Sequence, residues 1–275
     1  DTLAPAPKPA EPVPTARPVD TLAPAPKPAE PVPTARPAEL APAPKPAEQV
    51  SGDIVFKFFD EGLSNVDRAL IQDTAIFASN YYKDQTGITA VNPITYQVSN
   101  DPAGTFYAKG DPNMVRINTG YQNYWSASAP LVKEALVAHE HFHTFTFALP
   151  RANNNRSDPF WIAEGVPEFA SYMVAVERGR LTKDSLRREE MRRIQSFQKL
   201  PVISSINRSN PLVAAYALSC LAIDFLVGDR GIRPIGDLMR NSRDFLLPVA
   251  FEKTFGESME AFQARFEIYR AGNNI

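Results

Sequence analysis

Leu136-Val137-Ala138-His139-Glu140-His141-Phe142-His143-Thr144-Phe145 is the stretch around which this chain of 275 residues is organised. It contains all 3 histidines of the protein. It spells H-E-x-x-H, a spacing that sets two imidazoles on one face of a helix to hold zinc, with a glutamate beside them to handle protons. Such a site needs a helix under the motif, a third protein ligand and a cleft.

The helix is supported on both sides of the motif. Pro130 suits a first helical turn, with Ser128 nearby as a candidate cap. Leu131, Ala135, Leu136, Ala138, Phe142, Phe145 and Leu149 keep helical spacing, and Pro150 with Asn153-Asn154-Asn155 ends it. His139 and His143 then project from the same face, one turn apart, and both can reach one ion at about 2.0–2.1 Å. Glu140 is rotated by about 100° from His139. There it can act on a metal-bound water without ligating the ion. His141 lies on a different face and reads as a bystander, either a hydrogen-bonded helix residue or a cleft-lining one. A His139-x-His141 pair on a strand is the competing metal pattern, and the helical spacing argues against it.

Phe160-Trp161-Ile162-Ala163-Glu164-Gly165-Val166-Pro167-Glu168-Phe169 offers the third ligand. A helix expected from about Pro159–Ile162 to Glu177, antiparallel to the first, would bring Glu164 opposite the histidine pair. Three protein ligands leave the fourth position to water, as a catalytic site requires. Glu168, one turn on, could accept the other ring proton of a ligand histidine, His139 first, and so fix its tautomer. These carboxylates sit among Phe160, Trp161, Ile162, Val166 and Phe169, where solvated acids are less expected. Attack by water on a carbonyl also needs an oxyanion donor. With the histidines used, tyrosines remain: Tyr216, within Ala214-Ala215-Tyr216-Ala217-Leu218, and Tyr172. Each reads equally as a tyrosine packed in an apolar helix.

Before the motif the chain is strand-rich. Ile54–Phe59 reads as a strand, Val66 to Tyr82 as an amphipathic helix capped by Asn65, and Pro93 to Ser99 as a strand. Thr105–Ala108 and Met114–Asn118 flank the turn Gly110-Asp111-Pro112-Asn113. After residue 130 the pattern is helical: about Lys183–Lys199, Pro211–Val227, Ile235–Arg240, Pro248–Phe255 and Ser258–Arg270. The fold class is therefore α+β, a small mixed or antiparallel N-terminal sheet followed by a mainly helical lobe. Residues 51–275 form the folded domain, with lobes at about 51–149 and 150–275.

Residues 1–50 differ. They hold fifteen of the 26 prolines, in a 19-residue repeat over residues 1–38 and a partial third copy from Glu39 to about Glu48. Ala-Pro and Lys-Pro steps favour polyproline II and bury too little apolar surface to fold alone. The segment reads as a disordered, semi-rigid spacer, or else as a ligand for a proline-reading domain or an attachment to a cell wall or surface. The net charge of −2 gives no case for nucleic acid or an anionic membrane. Cys220, the lone cysteine, cannot form an internal disulfide and reads as a buried inert thiol. No apolar run approaches the roughly 20 residues of a membrane span. The chain opens at Asp1 without a basic and apolar leader, and a secreted, periplasmic or cell-surface location is expected.

His139-Glu-His-Phe-His143, then Trp161-Ile-Ala-Glu-Gly-Val-Pro-Glu168, then a Tyr-bearing helix ending near Gly228 and Ala250–Gly256 resemble the gluzincin metallopeptidases, and among them the peptidase MA-like group of mostly bacterial proteins. The resemblance covers about residues 130–270. It implies a thermolysin-like core with Zn2+ on His139, His143 and Glu164, Glu140 as general base, and a peptide or protein substrate. It also implies an edge strand that pairs with extended substrate. Met114–Asn118 fits that strand, with Val115 and Ile117 as substrate-binding residues. The G-x-M-E-N signature of the clan's aminopeptidases is absent, which counts against exopeptidase activity. Zinc-dependent peptide hydrolysis is the expected function. A silent gluzincin scaffold, binding or assembling at a surface on its Pro-rich tether, is the alternative.

Overall fold

The computed structural model describes residues 47–104, 107–148, 158–197 and 200–275. The described residues belong to one unit, Lys45–Ile275. The repeats of residues 1–38 and their reading as a spacer or surface attachment lie outside the described residues.

Five strands form one mixed sheet: β1 Ala47–Ser51, β2 Ile54–Phe58, β3 Ile94–Ser99, β4 Ala108–Asp111 and β5 Met114–Asn118. Their order is β1-β2-β3-β5-β4. The central pairings, β2 with β3 and β3 with β5, are parallel. The two outer pairings are antiparallel hairpins. Parallel neighbours need a crossover, and helix α1, Asn65–Thr86, supplies it between β2 and β3. Period-two alternation buries Ile54, Phe56, Phe58, Ile94, Tyr96, Val98, Val115 and Ile117 on one face.

The helices continue as α2 Tyr124–Ala127, α3 Pro130–Thr146, α4 Phe160–Ala163, α5 Gly165–Glu177, α6 Lys183–Gln195, α7 Leu212–Val227, α8 Arg233–Asp244, α9 Leu247–Phe255 and α10 Met259–Asn273. α3 packs on α1 and on β4 on one side and on α5 on the other; α5 and α6 in turn pack on α7. The second lobe closes around aromatic rings. Trp161 stacks on Phe262 at 5.3 Å and meets Phe251 edge-on at 6.1 Å. Cys220 is fully buried within α7, where burial raises its thiol pKa and leaves it inert. Among the described residues, Leu212–Arg230 is long and apolar enough to cross a membrane by length and composition, yet 67% of its most apolar window is buried inside the fold.

Several local readings are corrected. Ser64, not Asn65, caps α1, accepting from the Asp67 amide at 3.1 Å. Ala129 precedes α3 with Pro130 in its first turn, while the Ser128 hydroxyl donates backwards to the Tyr124 carbonyl. The first strand of the second hairpin is Ala108–Asp111, so Gly110 and Asp111 belong to the strand and not to the expected turn. α6 ends at Gln195. The last residues of the third repeat copy, Ala47 and Glu48, already belong to β1, so the folded part begins before residue 51. The helix expected across Pro159–Glu177 is broken at Glu164, which has φ −110° and ψ −32° and joins α4 to α5.

Candidate metal centre

α3 is buried on opposite sides for different reasons. Its sheet side is fixed by Tyr82, whose hydroxyl donates to the Ala138 carbonyl at 3.0 Å and whose ring meets Phe142 and Phe145 edge-on at 4.9 and 5.6 Å. His141 points the same way. It is fully buried, bonded through Nδ1 to the Tyr96 hydroxyl at 2.8 Å, and its Nε2 has no hydrogen-bond partner. Burial pushes its pKa down to about 3, so the ring is neutral. Two residues along a helix is a rotation of about 200°. With His141 against the sheet, His139 and His143 must face away from it, toward α5 and α7.

There they meet Glu164. Oε2 of Glu164 lies 3.5 Å from Nε2 of His139 and 3.5 Å from Nε2 of His143. The three candidate ligand atoms all lie within 4.8 Å of one another. A tetrahedral ion with bonds of about 2.05 Å separates its ligands by about 3.3 Å, so this buried His-His-Glu group could hold a metal ion with little movement. Gly165 sets the position of Glu164. A β-carbon there would lie 2.8 Å from both Cβ and the carbonyl oxygen of Ser219 in α7. Only glycine lets the start of α5 come this close to α7, and the preceding residue is thereby held over the histidines.

The carboxylates around the pair have distinct partners. Glu168 Oε2 lies 2.9 Å from His139 Nδ1, the arrangement that fixes a ligand imidazole's tautomer. Glu164 Oε1 accepts from Arg208 Nη2 at 2.6 Å. The Tyr216 hydroxyl donates to Glu164 Oε2 at 3.1 Å, and its ring lies 5.7 Å from that of His139. Burial works to lower the His139 pKa, but hydrogen bonds to Glu164 and Glu168 and the nearby carboxylate charges raise it to about 10. Burial works to raise the Glu164 pKa, but the two histidines hold it well below the usual carboxylate range. Burial, with the Glu164 charge beside it, raises the Tyr216 pKa far above neutrality and keeps the hydroxyl a donor.

The group lies between two hollows. A cleft of about 660 Å³ is bordered by His139, Glu140, Glu168, Tyr216, Tyr172 and Tyr107. A pocket of about 150 Å³ touches His143 and Glu164 on the other side, with Ile162, Ile235, Leu238 and Leu247 in its wall. Glu140 is thus beside the ligand group and faces the larger cleft, while buried itself. His139, Glu140, His143, Glu164, Glu168 and Tyr216 are brought together. Tyr172 borders the same cleft, its hydroxyl accepting from Arg193 at 2.9 Å.

Val115 and Ile117 are not brought there. Both side chains are buried in the sheet core, and β5 lies between β3 and β4 with both edges paired. The outer strand beside the motif helix is β4. Gly110 in β4 abuts α3 so closely that a β-carbon would lie 2.6 Å from His143 Cβ and closer still to the Glu140 carbonyl. Sequence reasoning missed Arg208, Arg193 and Tyr107. Arg208 reaches Glu164 from an irregular loop, and Arg193 lies on a helix of mostly charged residues; neither has a local pattern that marks it.

No protein-family model matches the chain, and no curated protein sequence is similar to it. The arrangement of the site residues is therefore the ground for a functional reading.

Proposed function

We propose that the chain is a zinc-dependent peptide-bond hydrolase of the metalloendopeptidase kind, with a gluzincin site. One observation carries the reading: His139, His143 and Glu164 form one ligand group, and the Glu140 carboxylate borders the same cleft as its His139. Two imidazoles and one carboxylate are the donor set of catalytic zinc sites of this type, which keep one position open. When bound, zinc supplies a water acidified toward pH 7 and a Lewis acid for the scissile carbonyl. Glu140 takes the proton from the attacking water and passes it to the leaving amine. Tyr216, kept protonated, turns its one proton from Glu164 Oε2 to the carbonyl oxygen as negative charge develops there. Glu168 holds the His139 ring in the tautomer that leaves Nε2 for the metal. Arg208 holds one oxygen of Glu164 away from the histidines.

The free edge of β4 is the surface we assign to an extended peptide or protein substrate, by strand addition. This replaces the assignment of Met114–Asn118. Glu140 beside the ligand group speaks against a silent scaffold. The test is metal content together with cleavage of a broad peptide library. The zinc-loaded protein should cleave peptides. Glu140→Gln should retain one zinc per chain and lose activity by at least about a hundredfold. A purified protein without stoichiometric zinc, or a Glu140→Gln variant as active as the parent, refutes the proposal.

A further inference from the structure

We infer that the cleft beside Glu140 carries a carboxylate-binding subsite centred on Arg193, so that the substrates are peptides presenting an acidic group close to the cleaved bond. The inference rests on the hydrolase reading of the site and adds the class of substrate. Arg193, on α6, borders the same cleft as His139 and Glu140. Its charge is close enough to Glu168 to interact with it, and Glu168 is bonded to His139. A group held by Arg193 is therefore near the metal ligands. The wall of the cleft also carries the aliphatic side chains of Leu136, Leu186 and Leu212.

The carboxylates next to Arg193 do not use up its charge. Glu189 lies 3.5 Å from the Arg193 Nε, but its two oxygens accept from Nε and Nη2 of Arg192 at 2.9 and 2.7 Å. Glu168 is committed to His139. Glu190 accepts from Arg193 Nη1 at 3.2 Å and is fully buried, its other oxygen without a partner. Burial raises its pKa to about 7, which leaves it only part of a negative charge at neutral pH. Arg193 Nη1 also donates to the Tyr172 hydroxyl at 2.9 Å. The guanidinium is thus hydrogen-bonded through Nη1, with Glu189 3.5 Å from its Nε, and it borders the cleft as a planar cation. Its fork matches a carboxylate, and an apolar wall strengthens the attraction. The carboxylate can be an acidic side chain or the free C-terminus of a peptide.

Four zinc-chelating hydroxamate dipeptide mimics separate these sources: Glu with an amidated end, Gln with an amidated end, Gln with a free carboxylate end, and Lys with an amidated end. Affinities for the zinc-loaded full chain are measured by calorimetry, which needs no turnover. The Glu form or the free-carboxylate form should bind about ten- to a hundredfold more tightly than the amidated Gln form. Arg193→Gln should remove that preference and leave the amidated Gln form within about twofold of its parent affinity. Arg193→Lys should restore part of it, since a point charge lacks the fork. Arg193→Gln combined with Glu190→Gln leaves no lone buried charge and should show the same loss. Tightest binding of the Lys form, a preference that survives Arg193→Gln, or one abolished by Arg208→Gln instead would overturn the assignment. A chain that takes up no zinc refutes the hydrolase reading and this inference together. A zinc-loaded chain that binds all four mimics alike refutes the subsite alone.

Discussion

Metal uptake should compete with a proton on His139 well into the alkaline range. In the metal-free protein, Nδ1 of His139 is bonded to Glu168 and Nε2 faces Glu164. The pair hold the imidazolium up to a pKa of about 10, against its burial. A metal needs the Nε2 lone pair, so the proton must leave. At pH 7 the gap of about three units makes that step cost about 4 kcal/mol. Zinc affinity should therefore rise about tenfold per pH unit, or about a hundredfold from pH 7 to 9. A histidine at the ordinary value of about 6.5 would gain less than about twofold over that interval. Glu168→Gln keeps the shape and removes the charge. It should move the break toward neutral pH and lower the affinity above the break by about ten- to a hundredfold. Competition against a chromophoric chelator between pH 6 and 10 reads both effects. A wild-type affinity already level by pH 7.5, or a Glu168→Gln profile that overlays the parent, refutes the reasoning. The same pair stabilises the metal-free fold. Because the folded pKa is raised, that stabilisation is complete below about pH 6.5 and is lost as pH rises through about 10.

Gly165→Ala places a carbon 2.8 Å from Ser219, so it should cost about 1–3 kcal/mol and weaken zinc binding; an unchanged melting temperature and affinity would show that α5 has room to spare. His141→Phe should leave one zinc per chain and shift stability by about 1–3 kcal/mol, since the buried Tyr96 hydroxyl loses its partner; loss of the metal would make His141 a ligand. A chain starting at Ala47 should melt with the parent, whereas one starting at Asp53 loses β1 and should melt several degrees lower, about 2–4 °C per kcal/mol lost. Equal melting of the two truncated chains would refute the pairing of β1 with β2.

The metal group was legible because helical period is local. Once Leu131 to Phe145 is read as a helix, four-residue spacing decides that His139 and His143 share a face and that His141 leaves it. Glu164 and Glu168 were legible as acids in apolar company, although the break in the helix at Glu164 was not, because it arises from contact with α7. Strand order is non-local. Met114–Asn118 alternates like any half-buried strand, and nothing within it says that Ala108–Asp111 will pair outside it. Arg208 and Arg193 were illegible for the same reason. Each acquires meaning from a residue more than twenty positions away in sequence, Glu164 for one and Tyr172 for the other.

β4 has four residues, a length of about 13 Å. A chain laid along these four residues can satisfy a ladder for three or four residues. It must also arrive extended, because the close seat of Gly110 on α3 leaves the strand no freedom to bend toward a folded target. A protein offering only helices and tight turns would have to unfold locally before it could be cut. Under the proposed function, the cleft therefore sorts proteins first by how readily a short segment opens, and only afterwards by which side chains that segment carries.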